Sequence, residues 1–259
     1  MKIGVCSPIE RLDHLENLGY DLLELSIGGI SDLNDEEFEA LKQRLEGRKI
    51  KVRSGNGMIN GSVTPLHLDT GLASTKAYLN RVMPRLKELG VTTAVFGSGG
   101  YRRMPEDMPE EKRHGLLREF LVVLEGIARE NGITVVIEPL NKKECNVLLT
   151  TKEAMEYIKE LELPNLKLLV DLYHFCCEGE PLDRIYEYGS YIKHIHIVEP
   201  TKRTFMRPDD VYDYKLFIKA LRDVGYDGAL LFEGGGDDYD QGIAETYPVL
   251  RALCQEAST

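Results

Sequence analysis

LENLGYDLLELS (15–26) holds the reading that decides the fold. Polar residues close a helix, Gly19 ends it, and an unbroken apolar run follows. A glycine just past a helix adopts the left-handed conformation that other residues resist. A short apolar run after such a stop reads as a strand buried on both faces, as in a parallel sheet. The phrase returns in LKELGVTTAVFG (86–97), ARENGITVVIEP (128–139) and LRDVGYDGALLFE (221–233). A helix–glycine–strand phrase that recurs is a repeated βα unit.

Outward from these four copies, strands are expected at Lys2–Cys6, Leu22–Ile27, Ile50–Ser54, Thr93–Gly97, Thr134–Glu138, Lys167–Asp171, His194–Val198 and Ala229–Glu233. Helical patterns lie between them. Thr150 and Glu153 form a capping-box pattern. Ser74 is the expected cap of the helix that carries Pro84, where a kink is expected. Pro109 suits the first turn of the helix through Leu116, Phe120, Leu124 and Ile127. Eight alternating units in 259 residues predict an α/β fold, a single closed (β/α)8 TIM barrel with residues 1–259 as one domain. The rival is an open doubly wound sheet. It usually carries GxGxxG after its first strand, and here that strand ends CSPIER.

Composition narrows the function. Net charge is -11, from 43 acidic and 32 basic residues. An acidic field repels phosphate backbones, so no nucleic-acid partner is expected. No apolar run is long enough to span a bilayer, so no membrane partner is expected. The opening MKIGVCSPIERLDHLENLGYD lacks an apolar signal core and cleavage site, and the five scattered cysteines contain no CxxC. A reducing, cytoplasmic setting is the expectation. The adjacent Cys176 and Cys177 read as two buried small apolar residues.

In such a barrel, chemistry gathers where strands end at the C-terminal edge. The fifth strand ends at Glu138, the sixth at Asp171 with His174 just beyond, the seventh carries His194 and His196, and the eighth ends at Glu233. A lone carboxylate at a strand end commonly caps a helix. Four ionisable groups on four consecutive strands carry more together. Three carboxylates buried side by side would cost several kcal/mol each without a counter-charge. One divalent metal ion removes that cost, and the donor set suits Mn²⁺, Mg²⁺, Co²⁺ or Zn²⁺. Alternation puts His194 deeper than His196, so His196 is read as the ligand and His194 as core or support. Glu24 ends strand two and is expected to pair with Arg53, with a metal-shell or substrate-binding carboxylate as the alternative. Asn56 is a candidate to face the pocket. Lys202, Arg203, Arg207 and Gly234–Gly236 follow the last two strands, a frequent phosphate site in such barrels, so the substrate could be anionic.

Several short motifs carry a resemblance. EPLNKKE (138–144) matches E-x-x-N-x-x-E, DLYH (171–174) has an Asp three residues before a His, HIH (194–196) is an HxH, and GYDGALLFE (225–233) ends in the strand-eight Glu. In this order they resemble the xylose isomerase-like TIM barrels, which include ketose 3-epimerases and hydroxypyruvate isomerase. The resemblance implies that Glu138, Asp171, His196 and Glu233 hold one divalent metal, that Glu138 and Glu233 also move protons, and that Glu144 and His174 hydrogen-bond a small carbohydrate. It implies an isomerase or epimerase, often a homo-oligomer. The family's Arg after the strand-seven His falls here in HIVEPTKR (196–203), with Lys202 at the family spacing and Arg203 one further, so both are candidates to bind substrate. Alternatives on the same frame are an inosose- or dehydroshikimate-type dehydratase, an endonuclease IV-like nuclease, which lacks its extra histidines here, and a binding protein without turnover.

Overall fold

The glycines of the repeated phrase behave as the backbone chemistry requires. Gly19, Gly90, Gly132 and Gly225 have φ of 98°, 81°, 73° and 78°. In the computed structural model, which describes residues 1–256, each one turns the chain from a helix into the next strand.

The strands are β1 (Lys2–Cys6), β2 (Leu22–Ser26), β3 (Lys51–Asn56), β4 (Thr93–Phe96), β5 (Thr134–Ile137), β6 (Leu166–Asp171), β7 (Ile192–Ile197) and β8 (Ala229–Phe232). They pair in chain order, all parallel, and β8 pairs back onto β1. The expected barrel is therefore closed, with strand limits within two residues of those read from the sequence.

Alternation along each strand builds two layers. Residues such as Val5, Leu23, Phe96, Ile137, Val170, Ile197 and Phe232 join the main core between strands and helices. The opposite set points to the barrel axis. Leu22, Ala229 and Leu231 form one small cluster there, and Val95, Val136 and Leu169 another. Gly4 belongs to the first: a Cβ on it would lie 2.8 Å from Leu231 Cγ. Two residues further along the same faces come Cys6, Glu24, Gly97, Glu138, Asp171 and Glu233. The apolar plug thus sets the floor on which the ionisable layer stands.

Some local expectations are corrected. The helix Ala73–Glu88, which carries Pro84, is capped by Asp69 and not by Ser74. The Asp69 carboxylate accepts the backbone N–H groups of Ser74 (3.2 Å) and Thr75 (2.9 Å) and both their hydroxyls. Its two oxygens accept four donors, more than a hydroxyl can. Thr150 does cap its helix through Glu153 N (3.2 Å), but Glu153 reaches back to Leu149 N rather than to the cap residue. Cys177 is exposed and Cys176 only half-buried, because consecutive helical positions cannot both face the core. Among the described residues, no helix is long and apolar enough to cross a membrane.

Candidate metal centre

The ionisable layer at the barrel mouth brings the expected tetrad together. Glu138 follows β5, and its N–H donates to Phe96 O (3.1 Å). Asp171 ends β6 and caps the short helix Leu172–Cys177, its Oδ1 accepting His174 N at 3.1 Å. That bond leaves Oδ2 turned toward the axis. His196 on β7 is fully buried. Glu233 follows β8, with its N–H on Ile197 O (3.2 Å). His196 Nδ1 lies 3.3 Å from Glu138 Oε1, 3.3 Å from Glu233 Oε2 and 3.9 Å from Asp171 Oδ2. One ligand atom from each of the four falls within 4.8 Å of the others.

This set fits a divalent ion. Donors about 2.0–2.2 Å from one ion stand roughly 3–4 Å apart, and His196 Nδ1 keeps 3.3, 3.3 and 3.9 Å to the three carboxylates. Asp171 Oδ2 is buried without any hydrogen-bond partner, an unmet acceptor that a cation would satisfy. Space is reserved as well: a Cβ on Gly97 would lie 2.1 Å from Glu138 Oε2, so only glycine leaves the carboxylate its place.

Without an ion the charges disagree with one another. Burial, then Glu233, raises the pKa of Glu138. Burial, then Glu233 and Glu138, raises that of Asp171 well above its usual range. For Glu233 burial acts upward too, but His196 and Arg203 outweigh it and hold the group low. For His196 burial acts downward, and Glu233 and Glu24 overcome it, raising the pKa well above 6.5. A dication here would favour the ionised carboxylates and compete with protons for the same atoms.

Around the tetrad, His174 is buried and its Nδ1 accepts from Asn141 N (3.1 Å) and Asn141 Nδ2 (2.9 Å). Its Nε2 thus carries the hydrogen, has no bonded partner, and sits 4.0 Å from Glu144 Oε2. Burial, with Arg203 nearby, lowers its pKa to about 3, so the ring is neutral. Arg203 spans the mouth, donating to Glu144 Oε1 (3.2 Å) and Glu233 Oε2 (2.9 Å) and lying over the Tyr173 ring at 5.0 Å. Asn56 Nδ2 donates to the other Glu233 oxygen (3.0 Å).

The described geometry agrees with a wider likeness: residues 12–253 match the family described as xylose isomerase-like TIM barrel. The chain belongs to this family. A ketose 3-epimerase of Arthrobacter globiformis is 28% identical over 218 residues, 83% of this chain and 73% of that protein. A 3-dehydro-D-guloside 4-epimerase of Escherichia coli K12 is 23% identical over 233 residues, 87% and 86% of the two chains. A solved L-ribulose 3-epimerase superposes with a TM-score of 0.85 at 19% identity, over 99% of this chain and 95% of that one.

Lys202 and Glu24 take different surroundings in this xylose isomerase-like barrel. Lys202 is exposed and lines a hollow with Arg207, Glu199, Asp209 and Asp210. Arg203 alone reaches inward. Glu24 does not pair with Arg53, which is exposed and donates to Gly90 O (2.9 Å). It is buried beneath the tetrad and takes His194 Nε2 at 2.7 Å and His196 Nε2 at 2.8 Å. Sequence reasoning misses Cys6, Gly97 and Tyr173 as site residues. Period-two alternation from Gly4 and Val95 is the signal that points to the first two.

Proposed function

We propose that the chain is a divalent-metal-dependent ketose epimerase that removes and returns a proton α to a carbonyl. Glu138, Asp171, His196 and Glu233 would hold the ion. One observation carries the reading: Glu138 and Glu233 bring two carboxylates to one cluster in unlike surroundings, Glu233 taking Asn56 and Arg203 while Glu138 is buried beside His196. Such a pair suits one acid and one base on the same substrate. The epimerases among the relatives support it.

The ion would supply Lewis-acid polarisation of the substrate carbonyl, making the adjacent C–H acidic. Glu233, held low by its cationic neighbours and fixed by Asn56 and Arg203, serves as the base that takes the proton. Glu138, with the higher affinity, returns one from the other side, and the roles exchange in the reverse direction. His174 Nε2–H donates to a substrate hydroxyl, and Glu144 accepts from its neighbour. Arg203 screens the negative charge that develops in the enediolate. A hollow of about 430 Å³ beside Cys6, Glu24 and Asn56, walled by Pro8, Ile9 and Leu33, has room for the rest of a sugar chain. A free ketose suits the site better than a phosphorylated one, because Lys202 and Arg207 share their hollow with three carboxylates.

NMR in D₂O on a panel of ketoses, ketose phosphates and keto-inositols, with added Mn²⁺, Mg²⁺, Co²⁺ or Zn²⁺, tests the reading. Deuterium at the carbon next to the carbonyl of a free ketose, with both epimers present, is expected. Loss of water would mean a dehydratase instead, and no exchange on any substrate would remove the enzymatic reading.

A further inference from the structure

We propose that Glu24 is a positioning residue: it fixes the ring of His196 so that Nδ1, and not Nε2, is offered to the divalent ion. The inference rests on the metal centre proposed above and adds the part of it that lies on β2.

Glu24 is buried where the β2–β3 pairing shifts register, between Leu23 and Glu24. Such irregularities re-aim side chains near active sites. Both its oxygens are engaged. Oε1 lies 2.8 Å from His196 Nε2 and accepts from Cys6 Sγ at 3.2 Å, while Oε2 lies 2.7 Å from His194 Nε2. An ionised carboxylate only accepts, so both imidazoles must carry hydrogen on Nε2. His196 is then left with a single position, Nδ1, at which a proton can be exchanged for a metal. That atom faces Glu138, Glu233 and Asp171. His194 holds the second oxygen and keeps the carboxylate from turning away.

Cys6, Glu24 and His196 could in principle hold an ion of their own, since their donor atoms also cluster. The distances decide against it. At 2.8 Å, Glu24 and His196 have the spacing of a charge-assisted hydrogen bond, and the other Glu24 oxygen is taken up by His194 at 2.7 Å. The two edges of one ring therefore have separate duties, one toward the ion and one toward Glu24. Carboxylates that hold a ligating histidine in this way are worth about 10–100-fold in metal affinity.

The test is Zn²⁺ binding to the whole chain, by competition with a chromophoric chelator. Glu24→Gln keeps the shape but cannot accept from both rings. We expect its Kd for Zn²⁺ to rise about 10–100-fold, with partial recovery in Glu24→Asp. A wild-type chain that binds Zn²⁺ and a Glu24→Gln chain that binds it equally well overturn the role of Glu24 alone. A wild-type chain that binds no Zn²⁺ overturns the centre itself. Should the variants not fold, ¹⁵N spectra of the histidine side chains in the Zn²⁺-loaded wild type decide: hydrogen on His196 Nε2 with Nδ1 ligated is expected, and the reverse overturns the proposal.

Discussion

At the scale of single residues, Glu138 and Glu233 do different work from nearly the same place. Glu233 receives Asn56 on one oxygen and Arg203 on the other, while at Glu138, which also meets His196 at 3.3 Å, burial outweighs the neighbouring cations. Glu233→Gln and Glu138→Gln should each lower turnover by about 10²–10⁴-fold, the range for losing a positioned acid or base. Single-turnover deuterium exchange, started from each epimer in turn, checks whether each variant loses one face of the substrate. Gly97 is the quieter residue of the same site. Gly97→Ala would drive a methyl into the space of Glu138 Oε2, so metal affinity should fall by roughly tenfold or more while the fold persists. Isothermal titration beside a thermal melt separates those two effects.

At the scale of elements, the helices owe their ends to a few side chains. Asp69 starts Ala73–Glu88 with four accepted hydrogen bonds. Asp69→Ala should cost about 1–2 kcal/mol, seen as a lower urea midpoint at unchanged slope, with metal affinity unaltered because the cap is remote from the tetrad. Elements also show what a sequence can disclose. The glycine stops after the helices are backbone chemistry, local and readable, so the eight strands are legible in the residues themselves. The tetrad is legible for the same reason, since each member sits at a strand end. Glu24 is half legible: a place in the metal shell stands among its readings, but the favoured pairing with Arg53 assumes both face one side. On β3 it is Ser54 and Asn56 that turn inward, which leaves Arg53 outside, and no local signal sets that parity. Nor does spacing say which of Lys202 and Arg203 points in. The turn does: Arg203 has φ of 55°, its N–H is on Glu199 O, and Thr204 O accepts from Glu199 N.

At the scale of the whole molecule, the barrel concentrates unlike charges at one mouth while the chain as a whole stays acidic. Protonation and metal binding compete there. Burial and neighbouring carboxylates raise Glu138 and Asp171, and the carboxylates raise His196 against its burial, so these groups keep protons that free side chains would have released. Asp171 Oδ2 and His196 Nδ1 must give their protons up to ligate. Metal affinity should therefore climb with pH and weaken as pH falls, by about tenfold per pH unit for each proton displaced. Chelator competition from pH 8 down to pH 6 measures that slope. An affinity independent of pH would contradict the protonation pattern. Binding should also stabilise the fold by mass action, about 2.7 kcal/mol at an ion concentration 100 times Kd.

The proposed function requires one divalent ion between four side chains sent up from β5 to β8. Anomalous diffraction from crystals grown with Mn²⁺ or Co²⁺ tests it most directly. One peak per chain is predicted, about 2.0–2.3 Å from Glu138, Asp171, His196 and Glu233. A mouth without a peak, or a peak ligated by a different set of side chains, would contradict it.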